Sequence, residues 1–440
     1  MALRVAVVGS GPAGFYAAGA LLAADEPVEV DMIERLPTPW GLVRLGVAPD
    51  HENIKAVSRA FEKTAARPGF RFFGNVEVGS TVSHDELLSI YDAVVYTVGA
   101  QTDRRLGIPG EDLPGSWAAT EFVAWYNGHP DYQQIRFDLS VERAVVIGNG
   151  NVALDIARML ALTHEELACT DATDASIEAI AGSPIREIVV VGRRGPAQAA
   201  FTTPELQEMG ELAGADVFVD PAELEGAEPQ GTNAERNLAV LRELAARKPE
   251  GKPRRVVFRF FRSPVAILGD ERVEGIELVR NELDANRRAV PTDEHETLEC
   301  GLVFRSVGYH GVALPGVSFD ATSGTIPNDD GRVEPGVYCA GWIKRGPTGV
   351  IGTNKKDATE TVELLLEDAA AGRLEPKPDA TAAAVDALLA ERGVRVVEYV
   401  GWTAIDEVER AAGEKSGRPR VKLCSWDDLL AAAERVASGA

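Results

Sequence analysis

Cysteine is scarce in this chain of 440 residues, which contains only Cys169, Cys300, Cys339 and Cys424. The four are scattered, and no two of them form a C-x-x-C pair. This pattern excludes a zinc ribbon, an iron–sulfur cluster held by the chain itself and a redox-active dithiol. We therefore expect no metal site.

Basic residues and long apolar runs are also in short supply. The chain has 45 Lys and Arg against 68 Asp and Glu, a formal net charge of −23. Such acidity argues against nucleic acid or an anionic membrane as a partner. No stretch approaches ~20 uninterrupted apolar residues, and no charged-then-apolar leader precedes Val5. We expect a soluble, cytoplasmic protein without membrane insertion.

An apolar run, Val5 to Val8, leads directly into Gly9-Ser-Gly-Pro-Ala-Gly14. The run predicts a short strand buried on both faces, as at the centre of a parallel sheet. The glycines follow the G-x-G-x-x-G spacing, in which the middle glycine lets a pyrophosphate approach the backbone at a helix N-terminus. By itself this spacing also fits a glycine-rich turn in an unrelated α/β fold.

The residues that follow complete the first dinucleotide fingerprint. A helix is predicted over 17–24 and a second strand over 28–33, after which Glu34 stands twenty residues beyond Gly14. A carboxylate there can accept a hydrogen bond from a ribose hydroxyl. Residues 37–51 are apolar but interrupted by prolines, which predicts either the lining of a flat ring or an ordinary packed loop. Asp50 is predicted to cap a helix over 52–65.

A second fingerprint occupies the middle of the chain. Residues 143–147 predict a strand, and Gly148-Asn-Gly-Asn-Val-Ala153 supplies G-x-G-x-x-A before a helix. The next predicted strand, 187–191, ends in Gly192-Arg193-Arg194 instead of an acid. Two guanidiniums favour a 2′-phosphate, so the second nucleotide is predicted to be NADP. The alternative is a pair of ordinary surface arginines.

Several motifs then resemble one family in order over nearly the whole chain. They are Val8-Gly-Ser-Gly-Pro-Ala-Gly14, Pro39-Trp-Gly-Leu-Val-Arg44, Val47-Ala-Pro-Asp-His51, Gly148-Asn-Gly-Asn-Val-Ala-Leu-Asp155, Gly192-Arg-Arg-Gly195, Phe201-Thr-Thr-Pro-Glu205 and Ala340-Gly-Trp-Ile-Lys-Arg-Gly-Pro-Thr-Gly-Val-Ile-Gly-Thr-Asn354. The chain resembles the adrenodoxin reductase-like ferredoxin–NADP(H) reductases, especially bacterial members. The resemblance implies FAD at the first fingerprint.

The resemblance also implies an α/β fold with two Rossmann-like dinucleotide-binding domains. The FAD domain would be discontinuous, formed by residues 1–105 and 331–440, with a C-terminal extension. The NADP domain, residues 106–330, would be inserted into it. A cluster of Pro and Gly near residues 108–115 marks the predicted crossing between the domains.

Site residues follow from the resemblance position by position. FAD would contact Gly11, Ala13, Glu34, Leu42, Val78, Trp342, Gly349, Val350 and Ile351. NADP would contact Arg104, Asn149, Gly150, Asn151, Val152, Arg193, Arg194, Glu205 and Gly349. His51 and Glu208 are candidates for tuning the catalytic site, although a simply packed histidine explains His51 as well.

The predicted function is that of an FAD-dependent oxidoreductase, a ferredoxin–NADP⁺ reductase. It would pass electrons between NADPH and a small iron–sulfur protein, a ferredoxin of 2Fe–2S, 3Fe–4S or 4Fe–4S type. One alternative is a flavoprotein monooxygenase or oxidase acting on a small organic substrate, and another is a non-catalytic dinucleotide-binding sensor or scaffold.

An acidic ferredoxin would need a local basic patch, because the net charge of the chain repels it. Two basic regions are predicted to serve. One is a helical face formed by Lys55, Arg59 and Lys63. The other is the densest basic run of the chain, which comprises Arg247, Lys248, Lys252, Arg254, Arg255, Arg259 and Arg262. A solvated face is the alternative for either region.

Overall fold

This computed structural model describes residues 2–349, 351–375, 377 and 381–436. The chain divides into two compact units. The first unit comprises residues 1–102, 129–131 and 309–440, and the second comprises residues 103–128 and 132–308. Residues 309–330, which the sequence analysis assigns to the inserted domain, therefore cluster with the two ends of the chain instead.

The strands, in chain order, are β1 (Leu3–Val8), β2 (Val28–Ile33), β3 (Phe70–Phe73), β4 (Ala93–Tyr96), β5 (Thr102–Asp103), β6 (Ser116–Ala118), β7 (Arg143–Ile147), β8 (Glu187–Val191), β9 (Ala215–Val219), β10 (Arg254–Arg259), β11 (Arg262–Leu268), β12 (Gly275–Leu283), β13 (Ala289–Glu299), β14 (Leu302–Arg305), β15 (Tyr309–His310), β16 (Arg332–Glu334) and β17 (Val337–Cys339).

The α-helices are α1 (Pro12–Leu21), α2 (Leu42–Leu45), α3 (Glu52–Lys55), α4 (Ser58–Ala65), α5 (His84–Ile90), α6 (Ala119–Tyr126), α7 (Asn151–Ala161), α8 (His164–Leu167), α9 (Asp174–Ala181), α10 (Thr203–Met209), α11 (Pro221–Leu224), α12 (Thr232–Ala246), α13 (Trp342–Arg345), α14 (Ile351–Ala370), α15 (Ala382–Glu391), α16 (Tyr399–Ser416) and α17 (Trp426–Ala433). Short 3₁₀ helices cover Pro130–Tyr132, Pro196–Gln198 and Glu434–Val436.

The first unit contains a six-stranded sheet in the order β16-β17-β4-β1-β2-β3. All its strand pairs are parallel except β16 with β17. On β1, Val5 and Val7 join one hydrophobic cluster while Ala6 and Val8 join another, so this strand is buried on both faces as its sequence predicts. β17 comes from the far end of the chain and pairs with β4, which completes the sheet.

The second unit has its own six-stranded sheet, in the order β6-β14-β7-β8-β10-β9, and all its pairs are parallel. Val145 and Val146 of β7 belong to different hydrophobic clusters, so this strand is also covered on both faces. A separate antiparallel sheet, β11-β12-β13, follows β10. Among the described helices, none is long and apolar enough to cross a membrane.

Some predicted elements have different bounds. The helix predicted over 52–65 is two helices, α3 and α4, and its N-cap is His51, not Asp50. Between the two helices the backbone hydrogen bonds join residues three apart instead of four: Val57 N donates to Ile54 O, and Arg59 N donates to Ala56 O. This three-residue spacing breaks the α-helical ladder.

Two further elements differ from their sequence predictions. The sequence of residues 70–78 predicts one strand, but β3 stops at Phe73, because Gly74 exchanges both backbone hydrogen bonds with Val397 and Asn75 then turns with φ +62°. The sequence also predicts a helix over 354–367 with Thr353 as its cap, whereas α14 runs from 351 to 370.

The end of α14 is tied to the sheet of the first unit by the buried carboxylate of Asp368. It accepts hydrogen bonds from Arg332 Nε at 2.8 Å, from Tyr338 Oη at 2.7 Å and from Arg373 Nε at 2.7 Å. The hydrogen bond from Arg332 is the main cause that holds the pKa of this carboxyl well below its usual range, and Tyr338 and Arg373 act in the same direction.

Candidate functional site

The first glycine turn joins β1 to α1 and is closed on one side. Gly9 has φ +101°, and a Cβ there would lie 2.8 Å from the carbonyl oxygen of Thr97. A Cβ at Gly14 would overlap the carbonyl oxygen of Gly9. The hydroxyl of Thr97 donates to the carbonyls of Val8 and Gly9, at 2.9 and 2.8 Å, and so fixes the turn against β4. Larger residues at these two glycines would force the turn apart.

The other side of this turn is open. Nothing lies within 4 Å of a Cβ built on Gly11, which is the N-cap of α1 and makes no side-chain cap. The first N–H groups of the helix therefore face open space without a protein acceptor at the cap. A helix N-terminus of this kind favours an anion, and a pyrophosphate has the charge and size for it.

Glu34 lies just beyond β2, beside the same turn. Its Oε2 accepts hydrogen bonds from Ser10 N at 3.0 Å and Ser10 Oγ at 2.6 Å, and its Oε1 accepts from Leu36 N at 3.0 Å. The carboxylate is thus oriented by the protein, while Oε1 keeps a second lone pair for a ribose hydroxyl.

Residues 39–46, which we call the Trp40 loop, pack against the glycine turn. Trp40 N donates to Ser10 O at 3.0 Å, and a Cβ on Gly41 would lie 3.0 Å from Gly11 Cα. Trp40 is itself strained at φ +83°, and its buried indole Nε1 has no hydrogen-bond partner among the described residues. An unused buried donor next to an open cradle fits a site completed by a bound group.

The turn that follows β17 also reaches this cradle. Gly341 has φ +79°, and a Cβ there would lie 2.6 Å from Ala13 Cβ, so the backbone packs directly on the start of α1. Asp357 of α14 accepts from Gly341 N and from Lys344 Nζ, the latter at 3.2 Å. Arg345 binds Asn354 Oδ1 one turn earlier on α14. The two ends of the chain therefore build one site within the first unit.

The second glycine turn joins β7 to α7 in the second unit. Gly150 is the N-cap of α7 without a side-chain cap, and nothing lies within 4 Å of a Cβ built on it. Asn149 accepts from Ala200 N at 2.7 Å through its backbone carbonyl, whereas its buried Oδ1 has no partner among the described residues. Asn151 Oδ1 accepts from Thr202 N at 2.8 Å. This turn too can receive a pyrophosphate.

Arg193 and Arg194 follow β8, on the edge of the sheet where the second glycine turn lies. Their backbones are held, because Asn281 Nδ2 donates to Arg193 O at 2.8 Å and Phe261 N donates to Arg194 O at 3.1 Å. Neither guanidinium has an acidic partner within the described part of the chain. Two unneutralised cations at this position fit the 2′-phosphate of NADP.

Arg104 and Arg105 differ in their partners. Arg105 Nη2 binds Asp112 at 2.6 Å, and Arg105 Nε lies 3.6 Å from Glu111. Arg104 is exposed, and it is fixed by its backbone N–H, which donates to Gly308 O at 2.9 Å. Of these two arginines, therefore, Arg105 is in an ion pair and Arg104 is in none with the described residues.

Glu205 and Glu208 lie one turn apart on α10, and both contact Arg158 of α7. Arg158 Nη1 is 3.4 Å from Glu205 and 3.6 Å from Glu208, while its Nη2 donates to Asp155 at 2.9 Å. Arg158 and Glu205 are buried, so one arginine orients both carboxylates. His51, buried at the start of α3, belongs to the first unit.

The remaining predicted FAD residues occupy different environments in the first unit. Leu42 is partly exposed at 37%, Val78 is buried, and Trp342 is half-buried with its Nε1 donating to Thr348 O. Gly349 is exposed with φ +80°, and Ile351 begins α14. Val350 lies outside the described residues. In the second unit, Val152 is half-buried on α7.

The structure separates the residues of one predicted basic patch and pairs most residues of the other with acceptors. Lys55 ends α3, whereas Arg59 and Lys63 lie on the separate helix α4, so the three do not share one helical face. In the dense basic run, Arg254 is half-buried and its guanidinium donates to the backbone carbonyls of residues 160, 162, 180 and 183. Arg255 pairs with Glu187. These contacts occupy both guanidiniums, and the docking surface that the sequence predicts at Arg254 and Arg255 stays a prediction.

The rest of that basic run is mostly neutralised as well. Arg247 pairs with Glu243, Lys252 with Glu250, and Arg259 and Arg262 share Glu296. Each of these four cations therefore has an acidic partner, and the three glutamates that pair with them are exposed or partly exposed.

Two open glycine turns, each at the carboxyl ends of parallel strands, one beside an oriented carboxylate and the other beside two arginines without acidic partners among the described residues, are typical of a protein that binds two dinucleotides. Residues 3–190 match the family described as pyridine nucleotide-disulphide oxidoreductase. The chain is 54% identical over 446 residues to NADPH-ferredoxin reductase FprA of Mycobacterium tuberculosis, covering 97% of this chain and 98% of that protein.

Human mitochondrial NADPH:adrenodoxin oxidoreductase is 44% identical over 448 residues, covering 97% of this chain and 91% of that protein. The solved structure of Mycobacterium tuberculosis FprA in complex with NADPH matches with a TM-score of 0.95 at 53% identity, covering 98% of this chain and all of that one. The chain belongs to the adrenodoxin reductase-like family of ferredoxin–NADP(H) reductases.

Three residues of the first site are not among those that the sequence predicts. Ser10 and Thr97 orient Glu34 and the glycine turn, and Glu409 contacts the Trp40 loop from the C-terminal helices. Ser10 occupies a variable position of the fingerprint, and Thr97 belongs to a different strand end. The spacing of Trp402, Ile405 and Glu409 places them on one face of α16, which is the single signal for Glu409 in the sequence.

Proposed function

We propose that this chain is an FAD-dependent ferredoxin–NADP⁺ reductase, which passes electrons between NADPH and a small iron–sulfur protein. The observation that carries the proposal is the pair of glycine turns, one in each unit, each opening on a helix N-terminus that no side chain caps. Bound FAD exchanges electrons in pairs with a nicotinamide and singly with an iron–sulfur cluster, which is why such a protein needs it.

We assign FAD to the first unit. Gly11 and Ala13 would receive its pyrophosphate and Glu34 a ribose hydroxyl, while Leu42, Val78, Trp342, Gly349, Val350 and Ile351 would line the rest of the site. The open space at Gly11 and the oriented carboxylate of Glu34 support this assignment. The FAD domain would then be the unit formed by both ends of the chain.

NADP(H) is assigned to the second unit. Asn149, Gly150, Asn151 and Val152 would hold its pyrophosphate, and Arg193 and Arg194 its 2′-phosphate. Arg104, Glu205 and Gly349 complete the proposed set. The absence of acidic partners for Arg193 and Arg194 in the described chain supports their role, because an ion pair would compete with the phosphate.

His51 and Glu208 are proposed to tune the reaction and not to carry it. Hydride transfer needs no acid or base, so the protein contributes binding, orientation and exclusion of water. Glu208 contacts Arg158, and His51 is buried; both observations fit side chains of fixed orientation.

The four cysteines are all free thiols, which supports the proposal of a cytoplasmic protein.

The decisive experiment compares acceptors with the purified protein. We expect a yellow protein that releases unmodified FAD on denaturation and reduces an added ferredoxin at the expense of NADPH. Turnover with oxygen and a small organic substrate, but not with ferredoxin, would instead identify a monooxygenase or oxidase. Bound FAD without turnover would identify a sensor, and a colourless protein that takes up no FAD would refute the assignment.

A further inference from the structure

The C-terminal helices reach the Trp40 loop through a buried ion pair. Arg44 donates from Nη1 to Glu409 Oε2 at 2.8 Å and from Nη2 to Glu409 Oε1 at 2.6 Å. The two side chains are 3% and 0% exposed. A two-pronged pair of this kind fixes the plane of the guanidinium as well as its distance. The loop therefore cannot slide past α16 without breaking both hydrogen bonds.

Glu409 is held rigidly on its own side. It accepts a hydrogen bond from Arg420 Nη1 at 3.1 Å and another from Leu423 N at 2.9 Å. These contacts and the attraction of Arg44 keep the pKa of the Glu409 carboxyl low, although burial acts to raise it more strongly than any single contact lowers it. The carboxylate is thus a fixed, ionised anchor.

Two further contacts secure the same loop. Lys422 Nζ donates to the backbone carbonyl of Arg44 at 3.2 Å. Trp402 packs edge-on against Trp40 at 4.9 Å between ring centroids, and the Arg44 guanidinium lies 5.2 Å above the Trp402 ring. We call Trp402, Glu409, Arg420 and Lys422 the C-terminal clamp.

The clamp acts on the glycine turn indirectly, through the Trp40 loop. This loop donates a hydrogen bond to Ser10 and packs on Gly11. A buried ion pair adds little net stability compared with apolar residues of the same shape, so what it supplies here is geometry. We propose that Glu409 is a positioning residue for FAD, which holds the Trp40 loop through Arg44. This inference rests on the proposed FAD site of the first unit.

The test compares Glu409→Gln with two matched controls. Glu407→Gln makes the same change at an exposed position of α16. Asp31→Asn alters another buried carboxylate of the first unit, which binds Arg4, Arg71 and Tyr91 and does not contact the clamp. For each variant we would measure the FAD dissociation constant by ultrafiltration, the visible absorption bands of the flavin and the melting temperature.

We expect Glu409→Gln to raise the FAD dissociation constant about ten- to a hundredfold, because a charge-assisted contact to Arg44 is lost. Its flavin bands should shift or broaden, while the KM for NADPH stays near the wild-type value. Glu407→Gln should match wild type throughout. Asp31→Asn should lower the melting temperature without changing the FAD constant or the bands.

The inference would be overturned if Glu409→Gln kept the wild-type FAD constant and spectrum, or if Asp31→Asn disturbed both as much as Glu409→Gln does. If Glu409→Gln does not fold, Arg44→Lys serves, since it keeps the charge but loses one prong. It should weaken FAD binding about three- to tenfold, and a wild-type constant would refute the inference. Failure of the wild-type chain to bind FAD would refute the proposed function itself.

Discussion

Coenzyme choice is proposed to depend on Arg193 and Arg194, and replacing either with alanine tests that proposal. Both follow β8, both have fixed backbones, and neither is neutralised by an acid in the described chain. Each charge-assisted hydrogen bond to a phosphate is worth roughly 1.5–3 kcal/mol. Since about 1.4 kcal/mol corresponds to a factor of ten, kcat/KM for NADPH should fall about ten- to a hundredfold.

The value for NADH should change by less than about twofold, because NADH lacks the 2′-phosphate that the arginines are proposed to bind. Both constants would be measured with ferricyanide, a small acceptor that needs no docking surface. Raising the ionic strength should reduce the difference in kcat/KM for NADPH between wild type and the Arg193→Ala variant, because salt screens the charge of the exposed Arg193.

Arg186→Ala is the matched control. Arg186 is exposed and directly precedes β8, so the control removes the same charge at the opposite end of the same strand. It should leave both coenzymes at wild-type values. Equal losses for NADPH and NADH in Arg193→Ala or Arg194→Ala would show that these side chains support the fold and do not bind the phosphate.

Other predictions concern buried groups. Arg254→Ala should destabilise the protein by roughly 1–3 kcal/mol in urea unfolding, because buried carbonyls lose their donor; an unchanged midpoint would contradict this role. Asp368→Asn should cost roughly 1.5–3 kcal/mol near pH 7. The low native pKa of this carboxyl makes its contribution fully present above about pH 4 and lost only as the pH falls towards that low native pKa, so the stability difference between variant and wild type should shrink steadily below about pH 4; a difference independent of pH would contradict this. Burial raises the thiol pKa of Cys300 and Cys339 to about 12, so a thiol reagent should modify exposed Cys169 first and these two only after unfolding, as peptide mapping would check.

The strands nearest the glycine turns are predictable because their signals are local. β2, β7 and β8 begin and end at the residues that their sequences predict. β7 and β8 are apolar, mostly β-branched runs that each follow one charged residue, whereas β2 alternates apolar and acidic residues before its apolar end. The fold class follows from the same runs, because two strand–glycine turn–helix units demand two parallel sheets.

Burial of charged residues is not predictable in the same way. Arg254 and Arg255 are neighbours in the sequence, yet the first is half-buried and donates to backbone carbonyls, while the second is exposed and pairs with Glu187. Which of them faces inward depends on the register of β10 against β8 and β9, and a register one residue away would exchange their roles.

Glu409 is harder still to predict, because its partner Arg44 is 365 positions away in the chain. A glutamate on a helix normally faces solvent, and the one nearby sign that this glutamate is buried is its spacing from Trp402 and Ile405 on α16. The break between α3 and α4 has a similar origin, since no residue of α3 is buried and packing does not enforce one continuous helix.

The pairing of β17 with β4 affects how the chain is made. When the ribosome has synthesised β1 to β4, one edge of β4 can pair with β1 but the other edge has no partner strand. That second edge stays unpaired until residues 337–339 have been synthesised. At roughly 5–20 residues per second, translation of the intervening unit takes about 10–40 s. The second unit can close its sheet during that interval, because residues 103–308 contain all of its strands. The cradle at α1 gains its Gly341 wall and its contact with α16 only after residues 337–416 are made, so we expect flavin binding to follow the synthesis of these residues.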